Sequence, residues 1–464
     1  MTKKLDVAII GAGTAGLSAR SVVEKHTDNY LVFDAGILGT TCARVGCMPS
    51  KVLIQSANDY YRRFSFEQEG IIGASHLSID RNRTFAHVRS LRDRFVRGVT
   101  SSMETWQDRY LIQEYVRFKN PYTLETSFGE IFEAKKIIIG SGSTPVFPAI
   151  FHAVEDFCVN TDTFFELSEI PQRWLVVGTG VIGMELGQAL HRLGCETTII
   201  GRSPSMAGLT DPEILTYTMQ KMTDEIPIVY GEIEKVEKQS DHLVISVAGK
   251  RIIVDKILLA AGRTPNLTEL DLKNVGIEVG VNGVPHYDPT TMLIEGTTHI
   301  FIAGDNNGDK AILHEAADEG RIAGFNACVD QVSAFTRRTP LAITFTDPNI
   351  ATIGQNYKTL MQNQIDFEIG KVTFEGQGRS IVKLKEKGLL HVYADKQTGI
   401  LLGAELFAPE GEHLAHMLSW AISENWTVDQ TLSKPFYHPV IQEGLRTALR
   451  SIKKGTHAIE IAPL

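Results

Sequence analysis

Residues 5–16 read LDVAIIGAGTAG and decide the fold of the first part of this chain. An apolar run leads into a turn containing Gly11, Gly13 and Gly16. Such a turn between a buried strand and a helix lets backbone approach a pyrophosphate at the helix N-terminus. A second apolar stretch, LVFD, ends at Asp34, where a carboxylate can accept a hydrogen bond from a ribose hydroxyl. Together these features predict a dinucleotide-binding unit and not an ordinary tight turn.

The same pattern recurs further along the chain. The strand WLVV at residues 174–177 leads into Gly178, Gly180 and Gly183, and a second apolar strand comes after them. This is an approximate internal duplication, so we expect a second dinucleotide-binding unit. Where NAD-binding units place an acidic residue, this one has Gly201 followed by Arg202.

The difference at Arg202 bears on the coenzyme. An arginine pairs with the 2′-phosphate of NADP, whereas a carboxylate repels it. The sequence therefore favours NADP at the second unit. The alternative is that Arg202 is an ordinary solvated side chain and NAD is held by the remaining contacts.

From about residue 340 the chain changes character. Alternating strands at residues 388–394 and 399–405 are followed by helical patterns at 411–425 and 441–451. These patterns predict an antiparallel sheet with helices, an α+β domain. Between the two glycine turns, residues 85–106 have the apolar spacing of a surface helix.

Composition excludes several classes of protein. The chain has 464 residues and a net charge of −9, which gives no attraction for nucleic acid or anionic lipid. Five cysteines, an odd number, argue against a secreted disulfide scaffold. We expect Cys158, Cys195 and Cys328 to be buried as small hydrophobic residues. No apolar run is long enough to span a membrane, and a cytoplasmic location is expected.

Residues 39–51 read GTTCARVGCMPSK and contain Cys42 and Cys47. A cysteine pair with this spacing could be structural or could bind metal. Its position just beyond a nucleotide-binding unit is more informative, because there it can exchange electrons with the bound nucleotide.

These motifs, with AGRTPN at residues 261–266 and IAGD at 302–305, stand in the order found in the pyridine nucleotide–disulfide oxidoreductases. The chain resembles that family over essentially its whole length. Within the family it is most similar to dihydrolipoamide dehydrogenases. Glutathione reductase, mercuric reductase and the soluble transhydrogenase are its other close relatives by motif.

The resemblance implies an α/β fold with two Rossmann-like domains, one for FAD and one for NAD or NADP, and a C-terminal α+β dimerisation domain. It assigns residues 1–150 and 276–338 to the FAD domain. Residues 151–275 fall to the NAD(P) domain and 339–464 to the dimerisation domain. The FAD-contacting positions are Gly11, Gly13, Gly16, Asp34, Lys51, Gly142 and Asp305. Those for NAD(P) are Gly178, Gly180, Gly183, Arg202 and Gly262.

The resemblance also assigns catalytic roles. Cys42 and Cys47 form the redox-active disulfide, in which Cys47 lies over the flavin and Cys42 exchanges with the thiol substrate. Lys51 lies near the flavin ring with Glu185 as its acidic partner, since a buried lysine needs a counter-charge to stay ionised.

The final catalytic element is the stretch FYHPVIQE at residues 436–443. By resemblance, Glu443 orients His438, and the imidazole exchanges a proton with the disulfide of the other subunit. The resemblance therefore implies a homodimer acting on a small thiol or disulfide, with no metal.

Several subclasses stay open. The family resemblance favours oxidation of dihydrolipoamide, with NADPH-dependent reduction of a small disulfide or another oxidant as the alternative. A flavoprotein that senses redox state without needing turnover is a third possibility. The absence of a Cys-x-x-Cys domain and of a cysteine near Leu464 argues against mercuric reductase, and the cysteine pair argues against the transhydrogenase. Arg44, between the cysteines, either favours an anionic substrate or is incidental.

Overall fold

The computed structural model describes residues 2–452 of the chain. The last residues, including the terminal Ile-Ala-Pro-Leu464, lie outside the described part. Within residues 2–452 no helix combines the length and the apolar character that a membrane crossing requires.

The helices and strands succeed one another in four stretches of the chain. The first holds β1 (Lys3–Ile10), α1 (Thr14–Val23), β2 (Tyr30–Phe33), α2 (Thr41–Arg44), α3 (Cys47–Tyr61), α4 (Arg81–Met103), α5 (Gln107–Tyr110), β3 (Leu111–Ile112), β4 (Val116–Asn120), β5 (Thr123–Thr126), β6 (Ile131–Ile139) and β7 (Ser143–Pro145). The second holds β8 (Cys158–Val159), α6 (Thr161–Phe164), β9 (Arg173–Val177), α7 (Val181–Arg192), β10 (Glu196–Gly201), α8 (Pro212–Glu225), β11 (Ile228–Tyr230), β12 (Ile233–Lys238), β13 (Leu243–Val247), β14 (Lys250–Val254), β15 (Lys256–Leu259) and β16 (Arg263–Pro265). The third holds β17 (Ile300–Ile302) and α9 (Leu313–Asn326). The fourth holds β18 (Leu341–Thr344), β19 (Asn349–Gly354), α10 (Tyr357–Gln362), β20 (Phe367–Thr373), α11 (Gly378–Val382), β21 (Leu389–Asp395), β22 (Leu401–Ala408), α12 (Gly411–Ser423), α13 (Val428–Leu432) and α14 (Glu443–Ser451).

The first glycine turn belongs to a sheet with parallel strands in the order β3-β2-β1-β6. The antiparallel strands β5 and β4 continue the sheet from the first half of β6, and β17 pairs in parallel with its second half. The apolar strand at residues 300–302 therefore returns to the first unit after the second unit is complete.

The second glycine turn lies in a parallel sheet with the order β11-β10-β9-β15-β8. An antiparallel sheet of β12, β13 and β14 comes after β11. The short strands β7 and β16 pair with each other and connect the two units.

The C-terminal stretch forms an antiparallel sheet with the order β18-β19-β22-β21-β20. One face packs against α12 and α14, and the other meets α8 of the second unit. The α/β class with two dinucleotide-type units and a C-terminal α+β domain is thereby confirmed. The exact domain boundaries stay predictions.

Two expectations need correction. The surface helix runs from Arg81 to Met103, not from 85 to 106, because the Asp80 side chain accepts the backbone N–H of Arg83 and caps the helix earlier. Among the three remaining cysteines Cys195 is buried as expected, but Cys158 and Cys328 are only half-buried. Cys158 lies on the edge strand β8, and Cys328 comes just after the end of α9.

Candidate active site

The first glycine turn leaves an open cradle in front of α1. Gly11 has φ +105°, and a Cβ there would lie 2.2 Å from the carbonyl oxygen of Gly140, so no other residue fits. A Cβ on Gly13 would meet nothing within 4 Å. Gly13 is also the N-cap of α1, and no side chain caps the helix. An uncapped helix N-terminus facing open space fits the pyrophosphate of a dinucleotide.

Asp34 lies directly after β2, beside this turn. Its carboxylate accepts hydrogen bonds from the backbone N–H groups of Ala12, at 2.5 Å, and Gly36, at 2.7 Å. The Asp34 carboxylate, predicted to accept a hydrogen bond from a ribose hydroxyl, is therefore held against the glycine turn.

A cavity of about 370 Å³ extends from the first turn. It brings together predicted site residues from distant parts of the sequence: Gly13, Cys42, Cys47, Lys51, Gly142, Glu185 and Asp305. The open cradle, the apolar walls and these polar groups fit a bound FAD. No group of three or more His, Cys, Asp or Glu side chains suited to hold a metal ion occurs among residues 2–452.

The two cysteine thiols differ in their acidity. Cys42 lies on α2, and Cys47 is the first residue of α3. A hydrogen bond from the Cys42 thiol, together with the positive charge of Lys51, lowers the pKa of Cys47 to about 7, although burial opposes the change. The same hydrogen bond and burial raise the pKa of Cys42 well above its ordinary value. Cys47 is therefore the sulfur that carries negative charge near neutral pH.

Lys51 and Glu185 form an ion pair between α3 and α7, with Nζ 2.7 Å from Oε2. Glu185 is 4% exposed, and its other oxygen accepts the backbone N–H of Phe345 at 2.8 Å. The Lys51 ammonium also lies 4.7 Å from the centre of the Phe345 ring. Phe345 was not foreseen, because no local pattern relates it to residues so far away in sequence.

Asp305 is held at the cavity by two further residues that the sequence did not single out. The Ser143 hydroxyl donates to its carboxylate at 2.9 Å. Arg263 in turn donates to the hydroxyl and the carbonyl oxygen of Ser143, both at 2.7 Å. Ser143 and Arg263 come directly after Gly142 and Gly262, which is the sequence signal that could have identified them.

A second cavity of about 670 Å³ lies in front of the second glycine turn. Its lining includes Gly178, Gly180, Gly201, Arg202 and Gly262. Gly180 caps α7 without any side-chain hydrogen bond, as Gly13 does for α1. Gly183 does not line this cavity, but a Cβ there would lie 1.9 Å from the carbonyl oxygen of Gly178, so the helix can pack closely on the turn only with a glycine. The second cavity therefore fits a pyridine nucleotide in the same way that the first fits FAD.

The end of β10 is packed too tightly for an acidic side chain. A Cβ on Gly201 would lie 2.9 Å from both the Thr179 methyl group and the Tyr230 ring. Arg202, the next residue, is exposed at the cavity, and Ser203 and Ser205 are also in its lining. Thr179 and Tyr230 were not foreseen, because their effect is a steric one across the strand end.

Arg44 lies between the two cysteines in sequence but lines neither cavity. Its guanidinium donates to the carbonyl oxygen of Ile37 at 3.1 Å. This contact assigns Arg44 a local structural role. It does not support a role in substrate recognition.

His438 and Glu443 lie apart from the cysteines and line neither cavity. The His438 Nδ1 atom is 3.1 Å from each carboxylate oxygen of Glu443, and the imidazole is 79% exposed. Burial opposes ionisation of Glu443, but hydrogen bonds from His438 and from the Val440 N–H hold its pKa below the usual value. Within one chain, the structure forms the predicted histidine–carboxylate pair without bringing it to the disulfide.

The chain is similar to known proteins in sequence and in fold. Residues 5–331 match the family described as pyridine nucleotide-disulphide oxidoreductase, and residues 340–449 match the dimerisation domain of the same family. A dihydrolipoyl dehydrogenase of Bacillus subtilis is 28% identical, covering 96% of this chain and 98% of its own. A mercuric reductase of Bacillus cereus is also 28% identical, over 97% of this chain and 72% of its own.

Among solved structures, the HOCl-induced flavoprotein disulfide reductase RclA from Escherichia coli has the same fold. It superposes with a TM-score of 0.83 over 97% of this chain and 100% of its own, at 19% sequence identity. The dimerisation domain supports a homodimer, and proteins of this family use FAD and NAD(P). The chain therefore belongs to the pyridine nucleotide-disulphide oxidoreductase family.

Proposed function

We propose that this chain is an enzyme of the dihydrolipoamide dehydrogenase type, which oxidises a dithiol at Cys42 and delivers the electrons to a pyridine nucleotide. The observation that carries the proposal is the pair of thiols with opposite pKa shifts in the cavity in front of the first glycine turn. Relatives that are 28% identical over nearly the whole chain support it.

The exchange begins when one substrate thiolate attacks the sulfur of Cys42 in the Cys42–Cys47 disulfide. A substrate–Cys42 disulfide forms, the Cys42–Cys47 bond breaks, and Cys47 leaves as a thiolate. The positive charge of Lys51 favours the Cys47 thiolate as it leaves. The second substrate thiol then displaces Cys42 and closes the product disulfide. Bound in the cavity lined by Gly13, Lys51 and Asp305, FAD would supply an acceptor for the electron pair gained by the cysteines and a source of hydride for the nicotinamide.

Protons are handled by His438, which in the proposed dimer reaches Cys42 of the partner subunit. Glu443 fixes the imidazole by accepting a hydrogen bond at Nδ1. With its proton on Nδ1, the ring has a free lone pair at Nε2, which can take the proton of the substrate thiol and so form the attacking thiolate. Ion pairing of Lys51 with Glu185 keeps a positive charge near the Cys47 thiolate.

We further propose NADP(H) as the preferred coenzyme. Arg202 and the hydroxyls of Ser203 and Ser205 line the second cavity at the end of β10 and offer donors to a 2′-phosphate. At Gly201, where an acidic residue would select NAD, a side chain would have to displace the Thr179 methyl group and the Tyr230 ring. Two features thus support NADP(H): Arg202 offers a positive charge to the 2′-phosphate, and no carboxylate stands at the end of β10 to repel it.

We propose that the chain acts as a homodimer on a small thiol or disulfide. The net charge of −9 argues against a nucleic-acid partner. The odd number of cysteines, five, fits no secreted disulfide scaffold, which supports a cytoplasmic location.

A second candidate function runs in the opposite direction, with NADPH reducing a low-molecular-weight disulfide or another oxidant. The NADP-type cavity and the equally similar mercuric reductases favour it. To separate the two, the FAD-loaded enzyme is reduced anaerobically with NADH or NADPH and then offered lipoamide, glutathione disulfide or quinones. The first proposal requires turnover with lipoamide in at least one direction, and its complete absence would sink that proposal.

A redox sensor would have no need of the His438–Glu443 pair. The substitution His438→Gln keeps a polar side chain of similar size but removes the titrating imidazole. For an enzyme we expect thiol turnover to fall by about 10²- to 10⁴-fold with FAD still bound. Unchanged turnover would favour the sensor and contradict the assigned proton transfer.

A further inference from the structure

The loop at residues 201–211, here called the coenzyme loop, connects β10 to α8. Its first residues, including Gly201, Arg202 and Ser205, line the second cavity. In the middle, the backbone N–H of Ala207 donates to the carbonyl oxygen of Thr179 at 2.9 Å, which ties the loop to the glycine turn. The C-terminal end of the loop, at Thr210 and Asp211, is held by a side chain from outside the nucleotide-binding unit.

The far end is bound by Glu405, a fully buried residue of β22 in the C-terminal sheet. One carboxylate oxygen of Glu405 accepts the backbone N–H groups of Thr210, at 2.7 Å, and Asp211, at 3.0 Å. The other accepts the Thr210 hydroxyl and the backbone N–H of Tyr357, at 2.9 Å. Three of the four donors thus come from the coenzyme loop. Because hydrogen bonds to a buried carboxylate are strong and directional, they define the position of the loop end closely.

Asp211 extends the same attachment. One of its carboxylate oxygens caps α8, and the other accepts from His391 Nδ1, at 2.7 Å, and from the Tyr393 hydroxyl, at 3.0 Å. His391 and Tyr393 are buried on β21, and His391 is paired with Glu405 across the two strands. The loop end is therefore attached to two adjacent strands of another domain.

We infer that Glu405 is a positioning residue for the coenzyme: by fixing Thr210 and Asp211, it sets where Arg202 and Ser205 meet the 2′-phosphate. The loop is short, and the buried side chains of Met206 and Leu209 leave it little freedom to absorb a displacement at its end. The preference for NADP(H) thus depends on a carboxylate outside the nucleotide-binding unit. This inference rests on the proposed coenzyme.

The test measures the binding of NADP⁺ and NAD⁺ to the FAD-loaded enzyme by equilibrium titration. In Glu405→Ala all four donors lose their acceptor, and we expect NADP⁺ binding to weaken by about three- to thirty-fold, with a smaller loss for NAD⁺. Glu405→Gln keeps one acceptor oxygen and is expected to restore part of the affinity. Flavin reduction by a dithiol, measured without coenzyme, should be the same in both variants and in the wild type.

Asp347→Ala is the matched control. Asp347 also belongs to the C-terminal stretch and accepts from Arg192 at the end of α7, at 3.0 Å, so its loss weakens the same domain contact without touching the coenzyme loop. We expect it to leave the ratio of NADP⁺ to NAD⁺ affinity unchanged. An unchanged ratio in Glu405→Ala, or an equal fall in Asp347→Ala, overturns the inference.

The two proposals fail in different ways. If the wild-type enzyme binds NAD⁺ as tightly as NADP⁺, the proposed coenzyme is wrong. In that case the inference is judged by overall coenzyme affinity: a loss in Glu405→Ala but not in Asp347→Ala supports it, and no loss overturns it.

Discussion

The first and second glycine turns share their backbone geometry and differ in the residues at the end of the second strand. A Cβ on Gly11 would lie 2.2 Å from the carbonyl oxygen of Gly140, and one on Gly178 would lie 2.2 Å from that of Ala260. Both turns lead into a helix with no side-chain cap. After the second strand, however, the first unit places a carboxylate, Asp34, whereas the second places Gly201 and Arg202.

This comparison separates two requirements. The pyrophosphate contact demands a particular backbone and so leads to the same glycines in both units. Recognition of the ribose and the redox chemistry depends on single side chains that the common backbone does not determine. Substitutions at the cysteines, at the shared glycines and at Arg202 therefore test these requirements separately.

The largest effect is expected at the cysteines, which come after the first unit and have no counterpart after the second. Cys47→Ser removes the sulfur that leaves in the exchange, so dithiol turnover should fall by about 10³-fold or more. FAD should stay bound, which the flavin absorbance of the purified variant reports. Cys195→Ser, at a buried cysteine outside both cavities, is the control and should keep its turnover. Turnover within tenfold of wild type in Cys47→Ser would show that the cysteine pair is not the electron carrier.

Two matched substitutions test the shared backbone. Gly11→Ala and Gly178→Ala meet the same 2.2 Å contact, and each should cost about 3 kcal/mol through overpacking and the positive φ. Gly11→Ala should lose FAD, measured by the ratio of flavin to protein. Gly178→Ala should keep FAD and lose coenzyme binding, measured by titration. Loss of FAD from Gly178→Ala alone would mean that the two cavities are assigned the wrong way round.

The coenzyme preference should respond to Arg202. In Arg202→Met the cation offered to the 2′-phosphate is lost, and the affinity for NADPH should fall by about tenfold relative to NADH. Arg251→Met, at an exposed arginine on β14 of the same unit, is the control and should change neither affinity. An unchanged NADPH preference in Arg202→Met would show that Arg202 is an ordinary solvated side chain.

The smallest effect concerns the pKa of Cys47. Lys51 favours the thiolate, so Lys51→Met should raise this pKa from about 7 by about one unit and reduce the thiolate fraction at neutral pH. Glu185 acts in the opposite sense, and Glu185→Gln should lower the pKa. The pH dependence of Cys47 alkylation in the reduced enzyme, followed by mass spectrometry, measures both. Shifts in the same direction for the two variants would contradict the charge arrangement.

The sequence was sufficient to predict the features that depend on local pattern. The two glycine turns, the cysteine segment and the α+β character of the C-terminal part all have short-range signals, and the structure contains each of them. The pairing of Lys51 with Glu185 was reached through the family resemblance, since nothing local relates α3 to α7.

The contacts that were not predicted join residues far apart in the chain. Phe345 satisfies the second oxygen of Glu185, Arg263 acts on Asp305 through Ser143, and Glu405 binds the coenzyme loop. Each arises from packing between domains, which leaves no periodicity or spacing in a single sequence. The half-burial of Cys158 was missed for the related reason that the position of a strand within its sheet is a property of the fold.

The most direct test is to count the electrons that the FAD-loaded enzyme accepts in an anaerobic titration with NADPH or dihydrolipoamide. The Cys42–Cys47 disulfide and the flavin should each accept one electron pair, so wild type should take up two pairs per subunit. The double variant Cys42→Ser, Cys47→Ser should take up one pair from NADPH and none from dihydrolipoamide, because the dithiol reaches the flavin only through the two cysteines. Equal uptake by wild type and the double variant would contradict the proposal that this disulfide carries electrons between the dithiol and the flavin.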